Sequence, residues 1–450
     1  MIIKNGKIAF SGEKYFHSRD LKIEQGKIAE IGSNLLGETE IDADGLQIFP
    51  GAIDPHVHFD EPGYTDREDF YHGSCAAASG GVTTVIDMPC TSVPPVTNIK
   101  NLKQKLEIVR QKSVVDFGFF GGVSGQCFDG NFQKYMTELA DYVLGFKTYF
   151  ISGMNSFSRL DLNQFQQVLK IAKELNRPAL LHAEDYEMVT TAEASARVKG
   201  SGWHNYYNSR PEAAEIIAVR NSVEIAEEIG AELHIVHIGT AEAAKLLSGK
   251  NKITGETAPH YLEFSYDDLE RIGGALKTAP VVKSPGNADG LWQALMDGTL
   301  DFVASDHAPA LENQKNTGSA WNDYSGIPGT GTLFPYLYSE GFVKRNIGLN
   351  RFLKITAENA AWRYGLFDRK GSIEIGKDAD LALVDPNARW TVNGRDFISK
   401  GKITPFEGMT FQGRVVKTII RGQVVFDREK GITAQPGFGK FLTKRVKAEH

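Results

Sequence analysis

Residues 48–62 read IFPGAIDPHVHFDEP, an apolar run that ends in two histidines separated by one residue. On an extended strand the side chains alternate between two faces, so His56 and His58 project the same way and their imidazoles reach one point. Imidazole nitrogens are common ligands of transition metals. The stretch therefore predicts a pair of metal ligands at the end of a buried strand.

Apolar runs of strand length alternate with helical segments through the middle of the chain, and this alternation is typical of βα units with a parallel sheet. The segments 67–80, 98–112, 162–176 and 212–230 carry apolar residues at the helical spacings of three and four. The predicted strands are Ile48 to Val57, Thr83 to Met88, Val114 to Phe120, Tyr142 to Phe150, Pro178 to His182, Glu232 to Ile238, Ile253 to Tyr261 and Asp301 to Ser305.

These runs predict an α/β fold in which residues 48–365 form a TIM-like (β/α)₈ barrel, with its active site at the carboxyl ends of the strands. A doubly wound open sheet is the alternative. That fold favours a glycine-rich GxGxxG turn after its first strand, and this sequence has none there.

The two ends of the chain predict a different structure. Residues 1–47 and residues 366–450 both contain short alternating strands with tight turns, such as Asn5-Gly6, Gln25-Gly26 and Arg421-Gly422. Neither piece is large enough to bury a core alone. We therefore expect them to pair across the sequence into one small β-sandwich domain.

Composition limits the class of partner. The 450 residues are 41% hydrophobic, and 50 Lys and Arg oppose 56 Asp and Glu without a run of like charge. This pattern predicts a small-molecule partner and argues against nucleic acid or a membrane surface. The three cysteines suit a reducing compartment, and no segment has the character of a signal peptide or a membrane span, which predicts a cytoplasmic protein.

Four further polar side chains lie on the predicted strands or at their ends, which a barrel would bring to one rim. They are Lys147 in GFKTYF, His182 in LLHAED, His237 in IVHIGT and Asp306 in ASDHAP. Together with His56 and His58 they offer the nitrogen and oxygen ligands that Zn²⁺ accepts. Taken singly, each could be a surface, core or capping residue, and the hypothesis depends on the set.

The chain resembles the cyclic amidohydrolases of the amidohydrolase superfamily, which include allantoinases, dihydroorotases and hydantoinases. The resemblance covers nearly the whole chain and is carried by HVHF followed by EPG, GGVTTVIDMP, GFKTYF, LLHAED, IVHIGT, APHYL and ASDHAP. It implies that Lys147 is carboxylated and bridges two Zn²⁺ ions, although other divalent metals suit the same ligands. It also implies a homo-oligomer, either a tetramer or a dimer.

The resemblance further assigns roles to the site residues. It implies that His56 and His58 bind one metal, that His182 and His237 bind the other, and that Asp306 ligates the first and acts as the catalytic base. A water shared by two Zn²⁺ ions about 3.5–4 Å apart becomes a hydroxide near neutral pH. Asp306 would take its proton during attack on the ring carbonyl and deliver it to the leaving nitrogen.

The choice of ring rests on the predicted substrate-binding residues Asp60 and Cys90. In dihydroorotases, an arginine and an asparagine at these positions hold the substrate carboxylate, and aspartate and cysteine do not replace that clamp. The sequence motifs NSRPEAAE and LWQALMDGTLDFVASDHAP resemble those of allantoinases, which predicts ring opening of allantoin to allantoate. Tyr64 and GIPGTGTLFPYL depart from that pattern, so dihydroorotase is the first alternative and hydantoinase or dihydropyrimidinase the second.

His260 and His307 complete the predicted substrate contacts, although either could equally be structural. The loops 151–159 and 310–326 are rich in glycine, serine and asparagine and are expected to shape the pocket. A non-catalytic interaction protein is the remaining alternative, since some relatives of dihydropyrimidinase keep the barrel but lose the metal ligands. All six ligands are present here, which favours an enzyme.

Overall fold

A computed structural model of the chain describes residues 1–444, and residues 445–450 of the predicted C-terminal segment lie outside the described residues. Its strands form a nine-stranded sheet built from both ends of the sequence and two parallel sheets built from the middle. None of the helices in residues 1–444 is both long and apolar enough to cross a membrane.

The nine-stranded sheet joins the first fifty residues to the last seventy. Its order is β18-β17-β16-β15-β5-β1-β2-β3, with β4 pairing β1. The contact between the two ends is antiparallel, with Ile48 of β5 opposite Leu383 of β15. The strands are β1 Ile2–Ile8, β2 His17–Glu24, β3 Lys27–Gly32, β4 Glu40–Asp42, β5 Gln47–Pro50, β15 Leu381–Thr391, β16 Thr410–Ile420, β17 Gln423–Asp427 and β18 Gly431–Ile432.

The parallel strands of the middle form one set of three, β6-β7-β8, and one of six, β14-β13-β12-β11-β10-β9. Each predicted strand from the middle of the chain overlaps at least one of them. Every residue of β6, β7, β8, β10 and β11 is buried, as expected for strands covered on both faces. The strands are β6 Ala52–Val57, β7 Val82–Asp87, β8 Asp116–Phe119, β9 Gly121–Gly122, β10 Phe146–Tyr149, β11 Ala179–His182, β12 Leu233–Ile235, β13 Ile253–Thr257 and β14 Phe302–Val303.

Two links connect the parallel sheets. Only Phe120 separates β8 in one sheet from β9 in the other. At the opposite edges, the His58 N–H donates to the His307 carbonyl at 2.7 Å, and the His307 N–H donates to the His56 carbonyl at 3.3 Å. These hydrogen bonds link the chain after β14 to the end of β6.

Helices follow most of the parallel strands, and the four predicted helical segments correspond to α1, α2, α4 and α7. Side chains cap the starts of α1, α2 and α4, for example Asp161, which accepts from the Gln164 N–H. The helices are α1 Phe70–Ser79, α2 Ile99–Val109, α3 Phe132–Leu139, α4 Leu162–Glu174, α5 Tyr186–Arg197, α6 Trp203–Asn208, α7 Glu212–Ile229, α8 Ala241–Lys245, α9 Pro259–Glu263, α10 Tyr266–Ile272, α11 Asn287–Asp297, α12 Thr330–Tyr336, α13 Leu349–Leu353 and α14 Asn359–Arg363. The π-helical turns Leu337–Lys344 and Lys354–Glu358 continue α12 and α13.

Three sequence predictions need correction. The predicted strand Ile48 to Val57 is two strands, because the chain leaves the nine-stranded sheet at Gly51, where a Cβ would lie 2.2 Å from Thr83. The predicted strand Ile253 to Tyr261 ends at Thr257, and Pro259 begins α9. The predicted sandwich is one continuous sheet, because β5 pairs with β1 and with β15.

A buried ion cluster ties the nine-stranded sheet to the parallel strands. The Lys370 Nζ lies 2.6 Å from Asp116 of β8, 3.1 Å from Asp378 and 2.5 Å from Asp380. Arg421 also pairs with Asp116. Although these three carboxylates lie close enough to hold a cation, Lys370 already supplies the positive charge.

Candidate metal centre

His56, His58 and Asp306 converge at the linked edges of the two parallel sheets. The Asp306 Oδ1 lies 3.2 Å from the His56 Nε2 and 3.5 Å from the His58 Nε2. Burial alone would raise the pKa of Asp306, but the imidazoles of His56, His58 and His237 hold it well below its usual value. The carboxylate is therefore charged beside two nitrogen donors, which is the chemistry of a cation site.

The two rings are held by partners on their other nitrogens. The His56 Nδ1–H donates to the Glu256 Oε1 at 2.5 Å, and the other oxygen of this carboxylate lies 3.1 Å from the His234 Nε2. The His58 Nδ1 lies 3.2 Å from the Thr91 hydroxyl. Both histidines therefore direct Nε2 toward Asp306, and such supporting contacts orient metal ligands.

His182 and His237 form the second group. The His182 Nδ1 and the His237 Nε2 face each other at 3.1 Å, a geometry that serves either as a hydrogen bond or as a pair of ligands to one cation. The His182 Nε2–H donates to the Glu184 Oε2 at 2.8 Å, and Arg210 donates to the same oxygen. Because Glu184 accepts the hydrogen bond of the Nε2–H, the lone pair of a neutral His182 is on Nδ1.

The two groups are adjacent. The ring centroid of His237 lies 5.5 Å from that of His56 and 4.7 Å from that of His182. Burial lowers the pKa of each of these three histidines, and the neighbouring Lys147 charge lowers it further. Neutral imidazoles are the form that binds a metal.

Lys147 is fully buried on β10, and its Nζ has no hydrogen-bond partner within residues 1–444. Burial lowers its pKa to about 8 despite the opposing charges of Glu256 and Asp306. A buried amine without an acceptor is costly, but a carbamate formed from CO₂ and the neutral amine would present oxygens to cations. These residues therefore fit a two-cation centre bridged by a carboxylated lysine.

Backbone strain also marks this region. Asp60, His237 and Asp306 have positive φ values of 53°, 42° and 50°. Left-handed backbone is uncommon for residues other than glycine and is found at functional sites. For His237 and Asp306 it occurs just beyond the ends of β12 and β14, where the chain turns and the ligand atoms are presented.

A cavity of about 560 Å³ opens over these side chains, and all of the predicted ligands except Lys147 line it. Cys90 lines it too, and its Sγ lies 3.0 Å from the Tyr149 hydroxyl, while the Tyr149 ring stacks on His182. Both predicted loops contribute, with residues 151–154 on one side and residues 321–326 on the other. The cavity is wide enough for a small cyclic substrate.

The other predicted substrate contacts lie behind the wall of this cavity. Asp60 is fully buried, and its Oδ2 lies 2.9 Å from Nε of Arg67, whose guanidinium packs between the rings of Tyr64 and Tyr324. Burial raises the pKa of Asp60 to about 7. Asp60 therefore supports Tyr324, which lines the cavity, through Arg67.

His260 and His307 do not reach the cavity either. His260 belongs to α9 and not to a strand end, and neither ring nitrogen has a partner in the described part of the chain. Burial lowers its pKa to about 4. The His307 ring accepts from the Gly329 N–H and lies 3.2 Å from Glu68, so its hydrogen bonds stabilise the loop after β14.

Sequence reasoning missed Glu184, Glu256 and Arg210, whose charges predict surface positions. Glu184 follows His182 by two residues, a spacing that places both side chains on one side of extended backbone. Glu256 is a charged residue within an otherwise uncharged predicted strand. Each of these features was a usable signal.

A model of the amidohydrolase family matches residues 47–425 of the chain. An allantoinase from Rubrobacter xylanophilus is 35% identical over 446 residues, which cover 97% of this chain and 96% of that protein. A dihydroorotase from Methanosarcina acetivorans is 37% identical over 457 residues, which cover 98% of this chain and 94% of that protein.

Solved structures are similar over the same length. An L-hydantoinase from Arthrobacter aurescens superposes with a TM-score of 0.93 at 28% identity, and the match covers 98% of this chain and 99% of that one. The three relatives are named for different substrates. They indicate a family and a reaction class but do not identify the substrate. The chemistry of the cavity therefore bears on which ring is opened.

Proposed function

Because this chain belongs to the amidohydrolase family and is a hydrolase that acts on cyclic amides, we propose that it opens the ring of allantoin to form allantoate. The observation that carries this proposal is the cavity above the metal centre. It joins a set of metal ligands to walls whose cationic side chains, Arg197, Arg210 and Lys277, all have hydrogen-bond partners within residues 1–444.

In this proposal His56, His58 and Asp306 would hold one Zn²⁺ ion, His182 and His237 would hold the other, and a carboxylated Lys147 would supply oxygen ligands to the centre. When bound, the two ions supply Lewis-acid polarisation of a carbonyl and a water of lowered pKa. Glu256 and Glu184 orient His56 and His182 from behind, which fixes the ring nitrogens that face the centre.

Asp306 moves the proton. Its side chain is 15% exposed and lines the cavity, so the carboxylate faces both the centre and the substrate. Its low pKa keeps it ionised, and an ionised carboxylate at this position can accept the proton of the attacking water. It then delivers that proton to the ring nitrogen as the C–N bond breaks, which gives the ring-opened acid.

A closed barrel would explain why the predicted metal ligands lie close together. We infer that the two parallel sheets form one eight-stranded barrel, in which β8 and β9 are parts of the same strand. The hydrogen bonds between the ends of β6 and the loop after β14 support closure, as does the similarity to the L-hydantoinase structure. In such a barrel the carboxyl ends of the strands meet at one rim.

The cavity walls favour an uncharged ring. Asp60 is engaged by Arg67 behind the wall, and Cys90 is paired with the hydroxyl of Tyr149. Allantoin carries amide and ureido groups and no carboxylate, so hydrogen-bond donors and acceptors suffice to bind it.

The cationic side chains that line the cavity already have partners in the protein. The Arg197 Nε donates to Glu193 at 2.6 Å, and Arg210 donates to Glu184. The Lys277 Nζ donates to the carbonyls of Trp321 and Asp323. A substrate carboxylate would compete with these contacts, whereas a neutral ring leaves them intact.

Dihydroorotate is the second candidate substrate, because the relative from Methanosarcina acetivorans carries the name dihydroorotase at 37% identity. Arg210 lines the cavity and could assist the binding of its carboxylate through the guanidinium nitrogens that Glu184 does not use. Hydantoin and dihydrouracil test the hydantoinase alternative in the same way.

The experiment is a substrate panel. Purified protein loaded with Zn²⁺ and bicarbonate is incubated separately with allantoin, dihydroorotate, hydantoin and dihydrouracil, and ring opening is measured. We expect the highest kcat/KM with allantoin. Turnover of dihydroorotate without turnover of allantoin would reverse the assignment and leave the metal-centre proposal intact.

A further inference from the structure

A second cavity lies apart from the metal centre, between α1, α12 and the sheet formed by β15 and β16. Its volume is about 100 Å³, and it is closed on one side by residues 393–399. The rings of Trp390, Phe397 and Pro335, with the side chain of Ile398, form the apolar part of its wall, and polar side chains form the rest. The hydrolysis of a cyclic amide makes no use of this cavity.

Two arginines also line this cavity. Arg428 is held in place, because its Nε and Nη2 donate to the Val415 carbonyl at 3.2 and 3.1 Å and its Nη2 donates to the Ser79 carbonyl at 3.3 Å. Arg414 packs its guanidinium 5.7 Å from the Trp390 ring centroid. Its Nε is buried and has no hydrogen-bond partner in the part of the chain that the structure describes.

The positive charge of this pair is not neutralised. Within residues 1–444, neither Arg414 nor Arg428 has a carboxylate within ion-pair distance, and Asp396 is the single acidic residue on the cavity wall. Burial and repulsion from Arg414 lower the pKa of Arg428 to about 10. Two guanidinium groups forced together with an unused donor are a common basis of oxyanion binding.

We propose that this cavity binds a small organic or inorganic oxyanion, a carboxylate or a phosphate, between Arg414 and Arg428. The anion would accept hydrogen bonds from the terminal guanidinium nitrogens of Arg414, which are not among the fully buried atoms, and would reduce the repulsion between the two charges. Trp390 and Phe397 would pack against an apolar body attached to the anionic group.

The position of this site gives it a route to the metal centre. His307 lines the anion cavity and directly follows Asp306 in the chain. The backbone of His307 is bonded to that of His56 and His58. A ligand in this cavity would therefore contact the back of the loop that presents Asp306.

The test uses metal-loaded protein and two probes, inorganic phosphate and benzoate, titrated by calorimetry at constant ionic strength. The proteins are the unmodified chain, Arg414→Gln and Arg428→Gln, with Arg395→Gln as the matched control because Arg395 is an exposed arginine of the adjacent loop. Thermal melting of each variant checks that it is folded. Any binding at the metal centre is common to all four proteins and cancels in the comparison.

We expect saturable binding of at least one probe, weakened about tenfold or more by Arg414→Gln and by Arg428→Gln and unchanged by Arg395→Gln. Preference for benzoate would identify a carboxylate on an apolar body, and preference for phosphate would identify a phosphate ligand. Equal binding to all four proteins, or no binding of either probe, would overturn the proposal.

Discussion

The Nε2 atom of His182 lies 2.8 Å from the Oε2 atom of Glu184, two residues further along the chain. Arg210 donates to the same carboxylate oxygen. Glu184 is charged and fully buried. Its contact with Nε2 therefore orients the Nδ1 atom of His182 toward His237. In the proposed centre, this contact would help to fix the position of the second cation.

Replacing Glu184 should weaken the second cation site. In Glu184→Gln the amide keeps the size of the side chain but loses the charge that holds His182 and Arg210. We expect the affinity for the more weakly bound Zn²⁺ to fall about 10- to 100-fold. Titration of metal-free protein with Zn²⁺ measures this, with Glu187→Gln on the exposed face of α5 as the control. Identical titrations for both variants would contradict the assigned role.

Asp306 should be essential to proton transfer. Asp306→Asn keeps an oxygen toward His56 and His58 but cannot accept a proton from water. We expect kcat to fall about 10²- to 10⁴-fold. Steady-state kinetics with the best substrate of the panel give the value, and Asp66→Asn, at an exposed position, is the control. A kcat close to that of the control would exclude Asp306 as the base.

Lys370 should stabilise the junction between the nine-stranded sheet and the parallel strands. Lys370→Met leaves the buried Asp116 and Asp380 and the partly buried Asp378 around an apolar side chain. Removing one partner of a buried ion cluster costs about 3–5 kcal/mol of unfolding free energy. Urea unfolding of the metal-loaded protein measures the loss, with the exposed Lys430→Met as the control. A midpoint equal to that of the control would show that the cluster adds no stability.

Lys315 should make stability depend on pH. Its side chain is 3% exposed, its Nζ donates to the Gly274 carbonyl, and burial together with repulsion from Lys277 lowers its pKa to about 7. An unfolded lysine has a pKa of about 10.4, so between these values the unfolded chain binds more protons and stability rises with pH. The gain is at most about 1.4 kcal/mol per pH unit.

Lys315→Met removes this titration. We therefore expect the Tm of the unmodified protein, relative to that of Lys315→Met, to increase between pH 7 and pH 9. The exposed Lys199→Met should follow the unmodified protein across this range. Parallel pH profiles for the unmodified protein and Lys315→Met would show that the Lys315 charge is not suppressed by burial.

The sequence predicted the strands and the main helices because burial of one face of an element sets the spacing of its apolar residues. Continuous apolar runs such as Val82–Asp87 and helical spacing such as that of α4 report which faces are covered. The ligands were predicted from the same pattern, because a histidine at the end of a buried apolar strand often has a functional role. His56, His58, His182 and His237 are predicted as ligands on this basis.

The sequence could not predict the contacts that depend on long-range placement. Glu256 meets His56 across 200 residues, and Arg210 meets Glu184 across 26 residues. His307 and His260 follow the same strand-end pattern as the ligands, but hydrogen bonds in one case and a proline-initiated helix in the other turn them away from the cavity. Local periodicity carries no information about either outcome.

Lys147 carries the central claim, because its carbamate would bridge the two groups of histidines. Lys147→Ala should lose activity with every substrate, and short carboxylic acids should restore part of it by occupying the place of the carbamate. The exposed Lys170→Ala is the control.

The most direct measurement is the metal content of the unmodified protein and of Lys147→Ala after both are loaded with Zn²⁺ and bicarbonate. We predict about two Zn²⁺ per chain for the unmodified protein and for Lys170→Ala, and fewer for Lys147→Ala. An unmodified protein that binds no metal under these conditions, or a Lys147→Ala variant with full metal content and full activity, would contradict the account.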